Sequence, residues 1–155
     1  MNDFILARAV HVLSVLMWIG GVAFVTTVAM PAIRRASPPE ERLAAFHRFE
    51  ARFVWQARLW VVLAGASGAW MIERAHMGPR FADPQYWWMH AMVCLWALFA
   101  LMLFVIEPFV LHRKMARTTD PAGLFTRMEW MHRVLLALAL VTVVASVMGS
   151  HGWSW

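Results

Sequence analysis

"YWWMHAMVCLWALFALMLFVIEP", residues 86–108, is the stretch whose reading decides the fold. Between His90 and Glu107 it carries no formal charge. A helix needs about 20 consecutive apolar residues to cross the hydrocarbon of a bilayer, and this run supplies them. His90 nevertheless sits inside it, flanked by Met89 and Ala91. An imidazole in hydrocarbon is costly unless something satisfies it, so a histidine placed there marks a functional site and calls for a partner.

The rest of the chain has the same character. Of its 155 residues 61% are hydrophobic, with 10 Trp and 12 Met, which is too apolar for a soluble domain of this size. Counting the opening stretch, four segments have the length and apolarity of spans: residues 4–33, 53–72, 86–111 and 128–149. Little chain is left over and no internal repeat is visible. Residues 1–155 therefore read as one integral membrane domain, all-α, a four-helix transmembrane bundle. The first segment opens "MNDFILARAV" without a basic leader, and it is longer than the apolar core of a secretory signal, so it reads as a retained helix.

A net charge of +5 raises the question of nucleic acid, but its placement answers against that partner. Arg34, Arg35, Arg42, Arg48 and Arg52 fall between the first two spans, and Arg113, Lys114, Arg117 and Arg127 between the last two. The opposite side holds only Arg8, Arg74 and Arg80. By the positive-inside rule the first and third loops are cytoplasmic and both termini face outward, in a bacterial-type inner membrane.

Several local signals refine the picture. "SPPEERLAAFHRFEARF" starts a helix, with Ser37 as cap and the helix beginning near Pro39, so that the second span extends into the cytoplasm as an amphipathic arm. "LAGASGAW" in the second span and Gly20-Gly21 in the first allow close approach of a helix or a flat ligand. Pro108 is expected to kink or end the third helix near Glu107. "TTDPAG" marks a turn before the last span. Cys94, the single cysteine, reads as a small packing residue.

Of the seven histidines, His11 and His90 pair best. His11 lies about two turns into the first span and His90 about one turn into the third, both from the outer side. Helical spacing puts Ser14 and Trp18 on the face of His11, and Cys94 and Ala97 on the face of His90. Two neutral imidazoles from facing helices can hold a haem iron from both sides, and bundle cores house such cofactors. Taken singly, each histidine reads more simply as a hydrogen-bonded membrane residue. His132 enters the last span from the cytoplasmic side, with Glu129 one turn away as an acceptor for its proton. His47 and His112 read as surface residues; convergence of His47 with His132 would make a second haem site. Arg52 is either part of an ion-pair network with Glu50, Arg58 and Glu107 or a clamp for a haem propionate. A different metal reading sets the outer His and Met residues (His76-Met77, Met89 to Met92, Met148 to His151) around copper, since thioethers select Cu(I). Methionine as apolar filler is the plain alternative.

These residues resemble a known family. "HVLSVLMWIGG" (residues 11–21) is similar to the first helix of the HemJ and CopD-like membrane proteins. "FEARF" (49–53) resembles the Glu-x-Arg segment leading into the second helix of HemJ, and "WWMHAM" (87–92) its Trp-x-His segment, here Trp88 and His90. The resemblance implies haem b binding and, in the HemJ branch, oxidation of protoporphyrinogen IX; the CopD branch implies copper uptake. Met92 stands where HemJ has a lysine, and "RMEWMHRV" lacks the proline of its last helix. The expectation is therefore haem b on His11 and His90, with Trp18, Arg52 and His132 as further cofactor contacts and quinone as a possible electron partner. Copper binding and a cofactor-free structural subunit are the alternatives.

Overall fold

In the computed structural model, residues 2–111 and 118–153 are described, without the side chains of Asn2, Arg52, Val110 and Leu111. The described chain is all-α with short 3-10 turns: α1 (Asn2–Phe24), α2 (Met30–Ala36), α3 (Arg42–Arg74), α4 (Trp87–Leu101) and α5 (Pro121–Ser150). A π-helical turn, Val25–Ala29, joins α1 to α2, and a longer one, Met102–Leu111, continues α4.

Among the described residues, three helical stretches are long and apolar enough to cross a membrane: Asp3–Ala36, Pro84–Phe109 and Pro121–Ser150. Their surfaces say the same as their composition. Only 17% of the most apolar window in each of the last two is buried inside the protein. Leu6, Leu16, Trp55, Val141 and Val144 all stand exposed, while few polar side chains are inside. A soluble monomer rarely shows apolar surface on this scale, so the apolar exterior is a lipid-facing one. α3 is 33 residues long, enough to span, but it falls outside those three stretches. Gln56, Arg58, Ser67 and three small residues around it dilute its apolarity.

α1 and α3 run antiparallel along their lengths. Asp3 meets Arg74, His11 meets Ala64 and Ser67, the missing Cβ of Gly21 faces Phe53, and Phe24 meets Phe49. Small residues make this closeness possible, as expected of both stretches. Close contact recurs elsewhere: a Cβ on Gly65 would lie 2.6 Å from the Trp96 indole, and one on Gly149 would overlap Trp88. The main core joins four helices through Trp18, Val61, Ala64, Phe99 and Leu136. A second core, at the opposite end from His11, gathers Met30, Phe46, Phe125 and Met128.

Both π turns sit beside prolines. Met30 donates its N–H to Val25, five residues back, which gives Pro31 room in the next turn. Pro108 was expected to kink or end its helix near Glu107; the helix does not end there but continues through it in π register to Leu111. In π register the residue at 108 would donate to the carbonyl of Leu103, and proline has no N–H to give. Arg58 Nε fills that gap, donating to Leu103 O at 3.1 Å.

Two helix starts differ from expectation. Ser37 does not cap α3; it closes α2, its N–H bonded to Ile33 O at 3.0 Å. Pro38 and Pro39 form a turn, with Glu41 N–H donating to Pro38 O, and α3 begins at Arg42. The last helix begins about two turns before residue 128, at Pro121, because Asp120 caps it by accepting from Gly123 N–H at 2.8 Å.

Candidate functional site around His11

The site is built from a notch in α3. Ala64, Ser67 and Gly68 have small side chains, so the imidazole of His11 sits against the helix. A Cβ on Gly68 would lie 3.2 Å from His11 Cε1. His11 Nδ1 is 2.9 Å from Ala64 O and 3.2 Å from Ser67 Oγ. A carbonyl only accepts, so Nδ1 carries the hydrogen. The Ser67 hydroxyl points its own hydrogen at Leu63 O, 2.5 Å away, and leaves its lone pair to His11. A neutral imidazole with Nδ1 protonated has its lone pair on Nε2. That is the arrangement of a metal-ligating histidine, whose other ring nitrogen is held by a carbonyl.

Ser14 and Trp18 follow His11 on the same face, and both are buried. Ser14 is spent locally, donating to Val10 O at 2.7 Å. Trp18 is 4% exposed and stands edge-on to Phe99, with ring centroids 4.9 Å apart. Its Nε1 hydrogen finds no acceptor among the described residues. A buried indole N–H without a partner costs about 1–3 kcal/mol.

The structure does not bring His90 to His11. α4 buries Met89, Leu95 and Phe99, whereas His90, Cys94 and Ala97 lie on its exposed face. His90 packs edge-on to Phe81 at 5.1 Å. Cys94 is accordingly exposed rather than packed inside. His11 is instead turned toward α3.

At the other end, His132 is half-buried, its Nδ1–H donating to Met128 O at 2.9 Å, with the Phe46 ring 5.8 Å away. Glu129 does not take the His132 proton. It is 3% exposed and accepts from Arg34 Nε at 2.9 Å, from Arg34 Nη2, and from Arg133 Nη2 at 2.7 Å. Arg34 ties α2 to α5 in this way, a link that the sequence reading missed. Arg58 and Glu107 pair at 2.6 Å, with Arg58 over the rings of Trp55 and Phe104. His47 is half-buried on α3. His112 and the side chain of Arg52 lie outside the described residues. At the far end of α3 Asp3 accepts from Arg74 at 2.8 Å, which raises the guanidinium's pKa further; both groups are well exposed, so the pair adds little stability.

Among the described residues no three His, Cys, Asp or Glu side chains converge as a metal cluster. No protein-family model matches the chain, and no curated protein or solved structure is found similar to it.

Proposed function

We propose that the chain is a four-span inner-membrane redox protein that binds haem b, with His11 as an iron ligand. One observation carries this reading. His11 donates Nδ1–H to the α3 backbone at 2.9 Å, which leaves its Nε2 as a basic nitrogen within the bundle. The unpartnered N–H of buried Trp18, seven residues on, adds a donor for a polar edge of such a group. The likeness of residues 11–21 to HemJ and CopD-like proteins supports the same choice. When bound, the haem would supply one-electron transfer, at a potential tuned by the polarity of its surroundings. The protein's own part is to fix the His11 tautomer through Ala64 and Ser67 and to exclude water with Trp18 and Phe99.

In this reading α3 is the fourth span, held against α1 throughout, with the arginine-rich loops on the cytoplasmic side and both termini outside. His90 is the second ligand by depth only, since it faces outward beside Phe81. The test separates the two histidines. Haem content and the Soret band of protein purified from a haem-supplied host are measured for the parent, His11→Ala and His90→Ala. Loss of at least nine-tenths of the haem in His11→Ala supports the ligand role; equal haem in all three removes it. Loss in His90→Ala as well would mean that α4 turns its histidine face inward on binding.

A second reading has its own observation. The His11–Ala64 bond already ties α1 to α3 without any cofactor. In a structural subunit that link would be the whole role of His11. A colourless, metal-free, well-folded preparation would favour it, and stoichiometric copper without porphyrin would move the assignment to the outer Met and His residues.

A further inference from the structure

A groove of about 710 Å³ runs between α1 and α3. Gly20 and Gly21 line it on α1, with Leu16 and Phe24 beside them; Phe53 and Trp60 line it on α3. Its openness has a local cause. Gly20 is exposed, with nothing within 4 Å of where a Cβ would stand, and Gly21 lets the Phe53 ring lie against the α1 backbone. Phe24 and Phe49, with ring centroids 6.3 Å apart, lie toward one end. At that end Arg48 reaches the groove, and Gln56 adds a polar edge two turns further along.

From Arg48 to Trp60 is twelve residues of helix, or about 18 Å, close to the roughly 15 Å depth of hydrocarbon in one leaflet of a bilayer. The walls of the groove are apolar along most of its length, and they continue into the exposed side chains of Leu16 and Met17, so it opens sideways to lipid. Charge sets the head. Arg48 is exposed, and no ion pair or hydrogen bond engages it among the described residues. A cation at the mouth of an apolar slot selects an amphiphile with an anionic head and a chain-like tail.

We propose that this groove is a binding site for an anionic phospholipid of the surrounding bilayer, with its phosphate on Arg48 and one acyl chain over Gly20. The site is independent of the His11 reading, since His11 contacts a different part of α3, at Ala64, Ser67 and Gly68.

Trp60 makes the site readable. The protein is placed in phosphatidylcholine nanodiscs containing a small fraction of dibrominated phosphatidylglycerol or, in parallel, dibrominated phosphatidylcholine. Subtracting the Trp60→Phe signal isolates Trp60 fluorescence. The expected result is half-quenching at a fraction of brominated phosphatidylglycerol at least threefold lower than for brominated phosphatidylcholine. Arg48→Gln should erase that preference. Gly20→Leu, which has open space for its side chain, should reduce quenching by both lipids, with helical content and monodispersity checked beforehand. Equal quenching by the two lipids in the parent protein, or a preference that survives Arg48→Gln, overturns the proposal; the first would make the groove a site for neutral chains.

Discussion

Gly65→Ala and Gly20→Ala add the same methyl group to two membrane-embedded helices, and the structure gives them opposite outcomes. In a bilayer the helices are already formed before they pack, so helix propensity contributes little to either change. At Gly65 the new Cβ would lie 2.6 Å from Cε2, Cζ2 and Nε1 of Trp96. That indole must move, and it donates Nε1–H to Val61 O at 2.9 Å, so moving it breaks a bond between α4 and α3. Overpacking of this kind costs about 1–3 kcal/mol. Loss of the hydrogen bond adds about 1 kcal/mol. The sum for Gly65→Ala is about 2–4 kcal/mol. At Gly20 nothing lies within 4 Å of the added atom, and the change should stay within about 0.5 kcal/mol. The assay is reversible unfolding in mixed micelles of increasing sodium dodecyl sulfate fraction, followed by tryptophan fluorescence. Equal midpoints for the two variants would refute the packing of α4 on α3 through Trp96.

Three further outcomes follow from the same contacts, each read as an unfolding free energy. Arg34→Ala leaves the buried Glu129 carboxylate with the mostly exposed Arg133 alone, and should cost about 2–3 kcal/mol, whereas Glu129→Gln removes the buried charge itself and should cost about 1 kcal/mol; the reverse order would contradict the clamp. Arg58→Met removes the side-chain donor to Leu103 O and the guanidinium paired with Glu107 and should cost about 3 kcal/mol, and adding Pro108→Ala, which restores an N–H facing Leu103 O, should recover about 1 kcal/mol. α3 and α5 end in matching turns, one with His76 at φ 51° and the other with Gly152 at φ 84°. His76→Gly should therefore stabilise, and Gly152→Ala destabilise, by about 1 kcal/mol each.

The helices were legible in the sequence because uninterrupted apolar length is a one-dimensional signal. Residues 86–108 could be read without knowing what packs on them. The same uniformity hid the rotation of α4. A helix apolar on nearly every side carries no stripe to say which face turns inward, so depth put His90 level with His11 while packing placed it on the exposed face beside Phe81. His11 was better marked, because the small residues that receive it are visible in "LAGASGAW". The continuation past Pro108 was not legible, since it depends on Arg58, fifty residues away in sequence, satisfying Leu103 O. Arg34 and Glu129 were each visible as charges, but only the fold of α2 against α5 makes them a pair. The groove at Gly20 was masked for a similar reason: a Gly-Gly pair reads as close helix contact, and only Gly21 is used that way.

The most direct measurement is the reduced-minus-oxidised absorbance spectrum of the detergent-purified parent protein from a haem-supplied host, with pyridine haemochromogen quantitation alongside. A haem ligated through His11 predicts a Soret band, sharpened α and β bands on adding dithionite, and close to one haem b per chain. A featureless spectrum from folded protein would contradict haem binding and leave His11 as a bond between two helices.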